Sequence, residues 1–192
     1  MKLCFATRNV NKIKEIKAKL GDAFEIVSLA DIQCNEELPE TTGTIEGNSA
    51  QKAQFVWEHY QVNCFADDSG LEVAALSGAP GVDSAMYAGI HGDSEANIKL
   101  LLKNLQGVAQ RDAQFKTVIT LVLNGDVHQF EGTIEGTILE DTKGQQGFGY
   151  DPVFLPIGYS QTFAQMSFEE KNKISHRSLA TEKLIAFLQS TL

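Results

Sequence analysis

Apolar positions along this chain keep two different periods, and the places where one gives way to the other predict its elements. A short apolar run over residues 2–6 reads as a buried strand. After a polar turn, Ile13, Ile16 and Leu20 recur at helical spacing, predicting a helix over about 12–20 that stops at Gly21. A second strand is expected over 24–28. A polar stretch then leads to a helix over about 45–60 with Ala53, Val56 and Trp57 inward and with Asn48 and Lys52, four apart, on one face. The next apolar run, ending at Ala66, would deliver Asp67 and Asp68 to its C-terminal edge, with a further strand over 71–75. Asp93 is placed to cap a helix through Leu105 that ends at Gly107, with Ile98, Leu101, Leu102 and Leu105 in the core. Residues 115–123 and 127–139 are β-rich and flank Asn124-Gly125-Asp126, a hairpin signal. Ser167-Phe168-Glu169-Glu170 has capping-box spacing for a short helix, and a last helix after Ser175 turns Leu179, Leu184, Ile185 and Leu188 inward. The alternation is that of an α/β protein, without internal repeat or linker-like run.

Length and composition narrow the classes. At 192 residues the chain fits one domain or two closely joined lobes. No apolar run approaches the roughly 20 residues needed to cross a bilayer, and the apolar stretch before Arg8 and Asn9 is too short for a signal peptide, so a cytoplasmic protein off the membrane is expected. Cys4, Cys34 and Cys64 form no Cys-x-x-Cys pair, which disfavours a disulfide framework or thiolate zinc site. A net charge of −9 disfavours nucleic-acid polymers. It leaves room for a small phosphate ligand, because Arg8, Lys12, Lys52, Lys171, His176 and Arg177 all fall inside motif-like blocks.

Five blocks carry chemistry. Phe65-Ala66-Asp67-Asp68-Ser69-Gly70 offers adjacent carboxylates and a hydroxyl, suited to a hard cation and a phosphate ester but equally good turn chemistry. Thr7-Arg8-Asn9-Val10-Asn11-Lys12 opens the first helix, where amides and the dipole favour an anion; a simple helix cap fits as well, and the glycine pattern of a P-loop is missing. Glu40, beside Glu36 and Glu37, is either solvated or a partner of Asp68. Gly147-Phe148-Gly149-Tyr150-Asp151 is either a tight turn or a loop that lets backbone and rings meet a flat base, with Asp151 accepting from its edge. Ser175-His176-Arg177 sets cations at a helix start, an arrangement that calls for an anion. His59, His91 and His128 lack ligand-like spacing and are expected at the surface.

Taken together, the blocks at 7–15, 40–53, 65–73, 147–154 and 169–177 resemble the Ham1-like inosine triphosphate pyrophosphatase family along nearly the whole chain. The resemblance implies an elongated mixed β-sheet flanked by helices, two lobes with a central cleft, usually assembled as a homodimer. It implies Mg²⁺-dependent hydrolysis of ITP, dITP and XTP to the monophosphate and pyrophosphate. Asp68 would be the catalytic carboxylate and a metal ligand, with Glu40 the second. Thr7, Asn9 and Lys12, within the block that includes Arg8, Val10 and Asn11, would hold the phosphate chain together with Lys52, and Ser69 would contact the nucleotide beside the metal. Phe148, Gly149, Tyr150 and Asp151 would cradle the base, joined by Lys171, His176 and Arg177. One departure stands out: Met86 occupies a position where the family often has arginine, whose contribution would then come from elsewhere, Arg8 being one source. A Maf-type pyrophosphatase and a nucleotide sensor without turnover are the rival readings.

Overall fold

In the computed structural model, which describes residues 1–21 and 24–191, seven strands join in the order β2-β1-β3-β5-β6-β7, with β4 paired to β3. They are β1 (Lys2–Phe5), β2 (Glu25–Val27), β3 (Cys64–Val73), β4 (Pro80–Gly81), β5 (Asp112–Leu123), β6 (Asp126–Ile138) and β7 (Phe154–Pro156). The sheet is mixed: β1 runs parallel to β2 and β3, whereas β3–β4 and β6–β7 are antiparallel. The helices are α1 (Val10–Leu20), α2 (Ile45–Tyr60), α3 (Ser94–Asn104), α4 (Phe168–Ile174) and α5 (His176–Ser190). None of the described helices is long and apolar enough to cross a membrane.

Local chemistry accounts for the boundaries. Asn9, Thr44 and Asp93 accept from amides of the first turns of α1, α2 and α3. Ser167 and Glu170 close a capping box at α4. Asn124 and Gly125 form the two-residue connection from β5 to β6, both at positive φ, as the sharp hairpin turn requires.

Packing divides the chain into two compact units. One comprises Met1–Asp68, Thr117–Gly132 and Arg177–Leu192, the other Ser69–Lys116 and Thr133–His176. The first has two cores. Leu3, Phe5, Phe65, Ile119 and Leu121 pack with Ile16 of α1 and with Ala180, Leu184 and Leu188 of α5. Cys4, Ala6, Cys64, Ala66 and Val122 pack with Ala53 and Val56 of α2. Successive residues of β1 and β3 thus enter opposite cores, as the two-residue repeat of a strand demands. The second unit has a core of Leu71, Val73, Leu101, Leu105, Phe115, Phe154 and Phe163.

The expected break at Asp67-Asp68-Ser69-Gly70 does not occur. β3 runs unbroken for ten residues, so the strand expected at 71–75 is the last part of β3 as far as Val73, and a short 3₁₀ turn, Ala74–Leu76, takes over from there. Turn-favouring composition loses here because β3 lies between β1 and β5, which take its backbone groups, and because side chains of α1 and α2 meet the two carboxylates. Met86 ends a 3₁₀ turn in the second unit and is half exposed.

Candidate active site

In the first unit, strand alternation sorts the two aspartates onto different lysines. Asp67, in the parity of Phe65, points toward α1, and its Oδ2 lies 3.0 Å from Nζ of Lys12. Asp68, in the parity of Ala66, points toward α2, and its Oδ1 lies 3.6 Å from Nζ of Lys52. The same Lys52 ammonium donates to Oε1 of Glu40. Lys52 therefore bridges the two carboxylates that the sequence pairs, although they are 28 positions apart in number.

Charges so placed alter one another. Burial acts to deprotonate Lys52, but Asp68, Asp67 and Glu40 outweigh it and raise its pKa, so the ammonium is firmly charged. Lys12 goes the other way: burial, with help from Lys52 and Arg177, outweighs Asp67 and lowers its pKa. Burial raises the Asp68 carboxyl above its ordinary range, against the pull of Lys52 and Lys12. Asp67 is held well below that range, because Lys12, Arg177 and Lys52 overcome its burial.

Two residues of this cluster were given no individual role by the sequence: Asp67, named only as one of the adjacent carboxylates of its block, and Glu15. Arg177, 2% exposed, donates from Nε to Oδ2 of Asp67 at 3.2 Å and from Nη1 to Oε2 of Glu15. The anion that the cations of the α5 start call for is thus, at Arg177, a pair of protein carboxylates. Glu15 could have been found by its spacing: it lies three residues after Lys12, on the face of α1 that also carries the core residue Ile16.

The helix-opening block divides in two. Asn9 Oδ1 accepts from the amides of Asn11 and Lys12 at 3.0 and 3.2 Å, and Thr7 Oγ1 accepts from the Asn9 amide at 3.2 Å, so the cap is made. Arg8 donates to the carbonyls of Cys34 and Glu36 at 3.1 and 3.0 Å and ties down the segment that leads to Glu40. Val10 and Asn11 are exposed.

Asp68 Oδ2 is buried without a hydrogen-bond partner among the described residues. An orphaned carboxylate oxygen beside a second carboxylate is the donor set that Mg²⁺ takes when substrate phosphates and water complete its shell. No cluster of three or more His, Cys, Asp or Glu side chains suited to a metal occurs among the described residues, so a full protein cage is not formed.

In the second unit, the glycine-rich loop is built around Asp151. Its Oδ2 accepts from the Phe148 amide at 2.9 Å and from Nζ of Lys171 at 2.6 Å. Lys171, from α4, also lies 4.7 Å from the centroid of the Phe148 ring, within cation–π range. The Tyr150 ring is core, and its hydroxyl donates to the Ser84 carbonyl at 2.9 Å; burial raises its pKa. The ring and hydroxyl of Tyr150 are thus both taken up by the protein's own packing. His176 is buried and stacks on Phe115 at 4.6 Å between centroids, with planes 9° apart. Ser69, half-buried in β3, follows Asp68 directly.

Comparison with known proteins bears on what these groups serve. The model of the Ham1 family matches residues 3–187. The dITP/XTP pyrophosphatase of Christiangramia forsetii is 52% identical over 188 residues, covering 98% of this chain and 99% of that one. That of Flavobacterium psychrophilum is 51% identical and covers 99% and 100%. Among solved structures, the Ham1 protein of Staphylococcus aureus superposes with a TM-score of 0.92 at 36% identity, covering 100% of both chains. A nucleoside-triphosphatase, dITP/XTP pyrophosphatase, from Mycobacterium abscessus gives 0.80 at 42% identity, covering 96% of this chain and 98% of that one.

Proposed function

Because this chain belongs to the Ham1 family, we propose that it hydrolyses the non-canonical purine nucleotides dITP, ITP and XTP to the monophosphate and pyrophosphate. The observation that carries the reading is Lys52 holding Glu40 and Asp68 on one ammonium while Asp68 keeps a buried oxygen without a partner.

Glu40 and Asp68 would hold Mg²⁺, which supplies charge neutralisation on phosphate oxygens. Lys12 and Lys52 bind the phosphate chain and stabilise the charge that gathers as the bond to the leaving group breaks. Asp68 orients a water and takes its proton as the oxygen attacks the α-phosphorus; pyrophosphate leaves, and the nucleoside monophosphate remains. The raised pKa of Asp68 supports this role, since a carboxylate near its ordinary value is a poor base.

The base is assigned to the loop of the second unit. Inosine and xanthine carry a 6-oxo acceptor where adenine carries an amino donor. The Lys171 ammonium has three N–H donors and no acceptor, so it rewards the oxo group and leaves an amino group unmatched. A site of one hydrogen-bond polarity discriminates strongly in this way. The Maf-type alternative loses support now that the matched family is Ham1.

Pyrophosphate release from dITP, ITP, XTP, ATP, GTP and dUTP, with and without Mg²⁺, tests the proposal. Release confined to the first three and dependent on the ion is expected. Turnover of ATP or dUTP at similar kcat/KM would overturn the specificity, and silence across the panel would leave a binding protein.

A further inference from the structure

We propose that Asp67 is a positioning residue whose task is to fix the Lys12 ammonium, and that Glu15 and Arg177 form the mount behind it; the inference rests on the pyrophosphatase reading above. Four alternating charges lie in series within the first unit: Glu15, Arg177, Asp67 and Lys12. The side chains of Glu15, Arg177 and Asp67 are 6%, 2% and 0% exposed, while that of Lys12 is 15% exposed. The series thus runs from the interior to the one member with appreciable access to solvent.

Stability alone does not explain such a series. Ion pairs this deep surrender hydration, and apolar side chains of similar volume hold a core together about as well. What the charged version adds is placement. Oδ2 of Asp67 receives Lys12 at 3.0 Å and Arg177 at 3.2 Å on a single atom, and Arg177 is gripped from behind by Glu15 of the same helix as Lys12. A lysine stem is flexible and its ammonium is a point charge, so geometry must come from its partner. Asp67 itself is set on the central strand β3, one position from Asp68. The phosphate-binding cation and the carboxylate that takes the proton from water are therefore referred to adjacent residues of one rigid strand.

Electrostatics and positioning predict opposite results when the Asp67 charge is removed. If the carboxylate merely offset the charge of Lys12, Asp67→Asn would make the cluster more cationic, tighten binding of inorganic pyrophosphate and leave kcat/KM intact or higher. If it positions Lys12, Asp67→Asn lowers kcat/KM by about 100-fold, the scale of a misplacement of about 1 Å. Those losses must also be coupled. In a Lys12→Ala background, with no ammonium left to place, the same change should cost less than about 3-fold, since residues acting through one another are not additive.

The experiment is this double-mutant cycle, read as kcat/KM for dITP and as affinity for Mg²⁺-pyrophosphate by calorimetry, with folding checked by circular dichroism. Equal losses in the two backgrounds, or tighter pyrophosphate binding with undiminished kcat/KM, would overturn the proposal. Should Asp67→Asn fail to fold, Glu15→Gln run through the same cycle decides, with a coupled loss of about 10-fold expected and additive losses overturning it. If the wild type releases no pyrophosphate from any nucleotide, the functional reading fails separately, and weaker binding of pyrophosphate by Asp67→Asn, abolished in the Lys12→Ala background, still reports on the mount.

Discussion

Replacing Gly147 by alanine tests how the glycine-rich loop presents its carboxylate. Gly147 sits at φ 75°, where a side chain costs about 1–2 kcal/mol. A Cβ there would lie 2.0 Å from Oδ2 of Asp151 and 2.9 Å from its Cγ. That oxygen is the one that accepts from the Phe148 amide and the Lys171 ammonium. Ordinary van der Waals contact begins at 3.4 Å, so the carboxylate must retreat by more than an ångström and give up its charge-assisted bonds, at about 1.5–3 kcal/mol. The total is about 4 kcal/mol, and for a chain of this size each kcal/mol lowers Tm by about 2–4 °C, so a fall of roughly 8–16 °C is expected. Gly149 is the built-in comparison. It has φ 60°, but a Cβ there meets nothing within 4 Å, so Gly149→Ala should lose only the conformational part, about 2–8 °C. Calorimetry of both variants measures the difference. Gly147→Ala should also raise KM for dITP by about 10–100-fold while inhibition by pyrophosphate stays unchanged, since Asp151 and Lys171 belong to one unit and Lys12 and Lys52 to the other. Equal losses of Tm in the two variants, or an unchanged KM in Gly147→Ala, would refute the reasoning.

Asp68→Asn should lower kcat by at least about 10²–10⁴-fold, the usual contribution of a positioned base. Its Tm at pH 8 should match or exceed that of the wild type, because a carboxyl with a raised folded-state pKa is destabilising when ionised; a lower Tm would mean that Asp68 holds the fold. Burial pushes the thiols of Cys4 and Cys64 up to about 12, so neither should react with a disulfide reagent at pH 8 until the chain is unfolded, a contrast that thiol titration reads directly. The Ser167 backbone and hydroxyl hold Glu170 below its ordinary value of 4.5. Its capping contribution is accordingly present above pH 4.5 and lost as pH falls through the lower folded value, so the Tm advantage of the wild type over Glu170→Ala should be constant near neutrality and shrink below pH 4.5.

Much of this was legible in the sequence wherever local chemistry decides the outcome. The hairpin at Asn124-Gly125 and the capping box at Ser167 carry their own instructions, and both form where the pattern puts them. The pairing of Glu40 with Asp68 came from family likeness, and Lys52 supplies its physical link. The continuity of β3 was not legible, because Asp-Asp-Ser-Gly read alone is turn chemistry and its strand partners are remote in sequence. Nor was the occupation of Arg177: no spacing rule connects residue 177 to residue 15 across α1 and α5. Tyr150 shows a third limit, since a tyrosine in a ligand-like loop and a tyrosine plugging a core read alike until its hydroxyl is found on the Ser84 carbonyl.

The sorting of Asp67 and Asp68 by strand parity has a consequence for how this chain can change. Deleting a single residue upstream in β3 would bring Asp68 to the position that faces Lys12 and turn Asp67 away from it, and the same slip would drive the Phe65 ring into the space lined by Ala53 and Val56 while leaving Ala66 to fill the gap among Leu3, Ile16 and Leu184. A frame error in the chemistry is therefore also a frame error in the packing. Variants of that kind are eliminated as misfolded chains before they can persist as folded enzymes of altered activity, so the apolar neighbours of the site act as its proofreaders across generations.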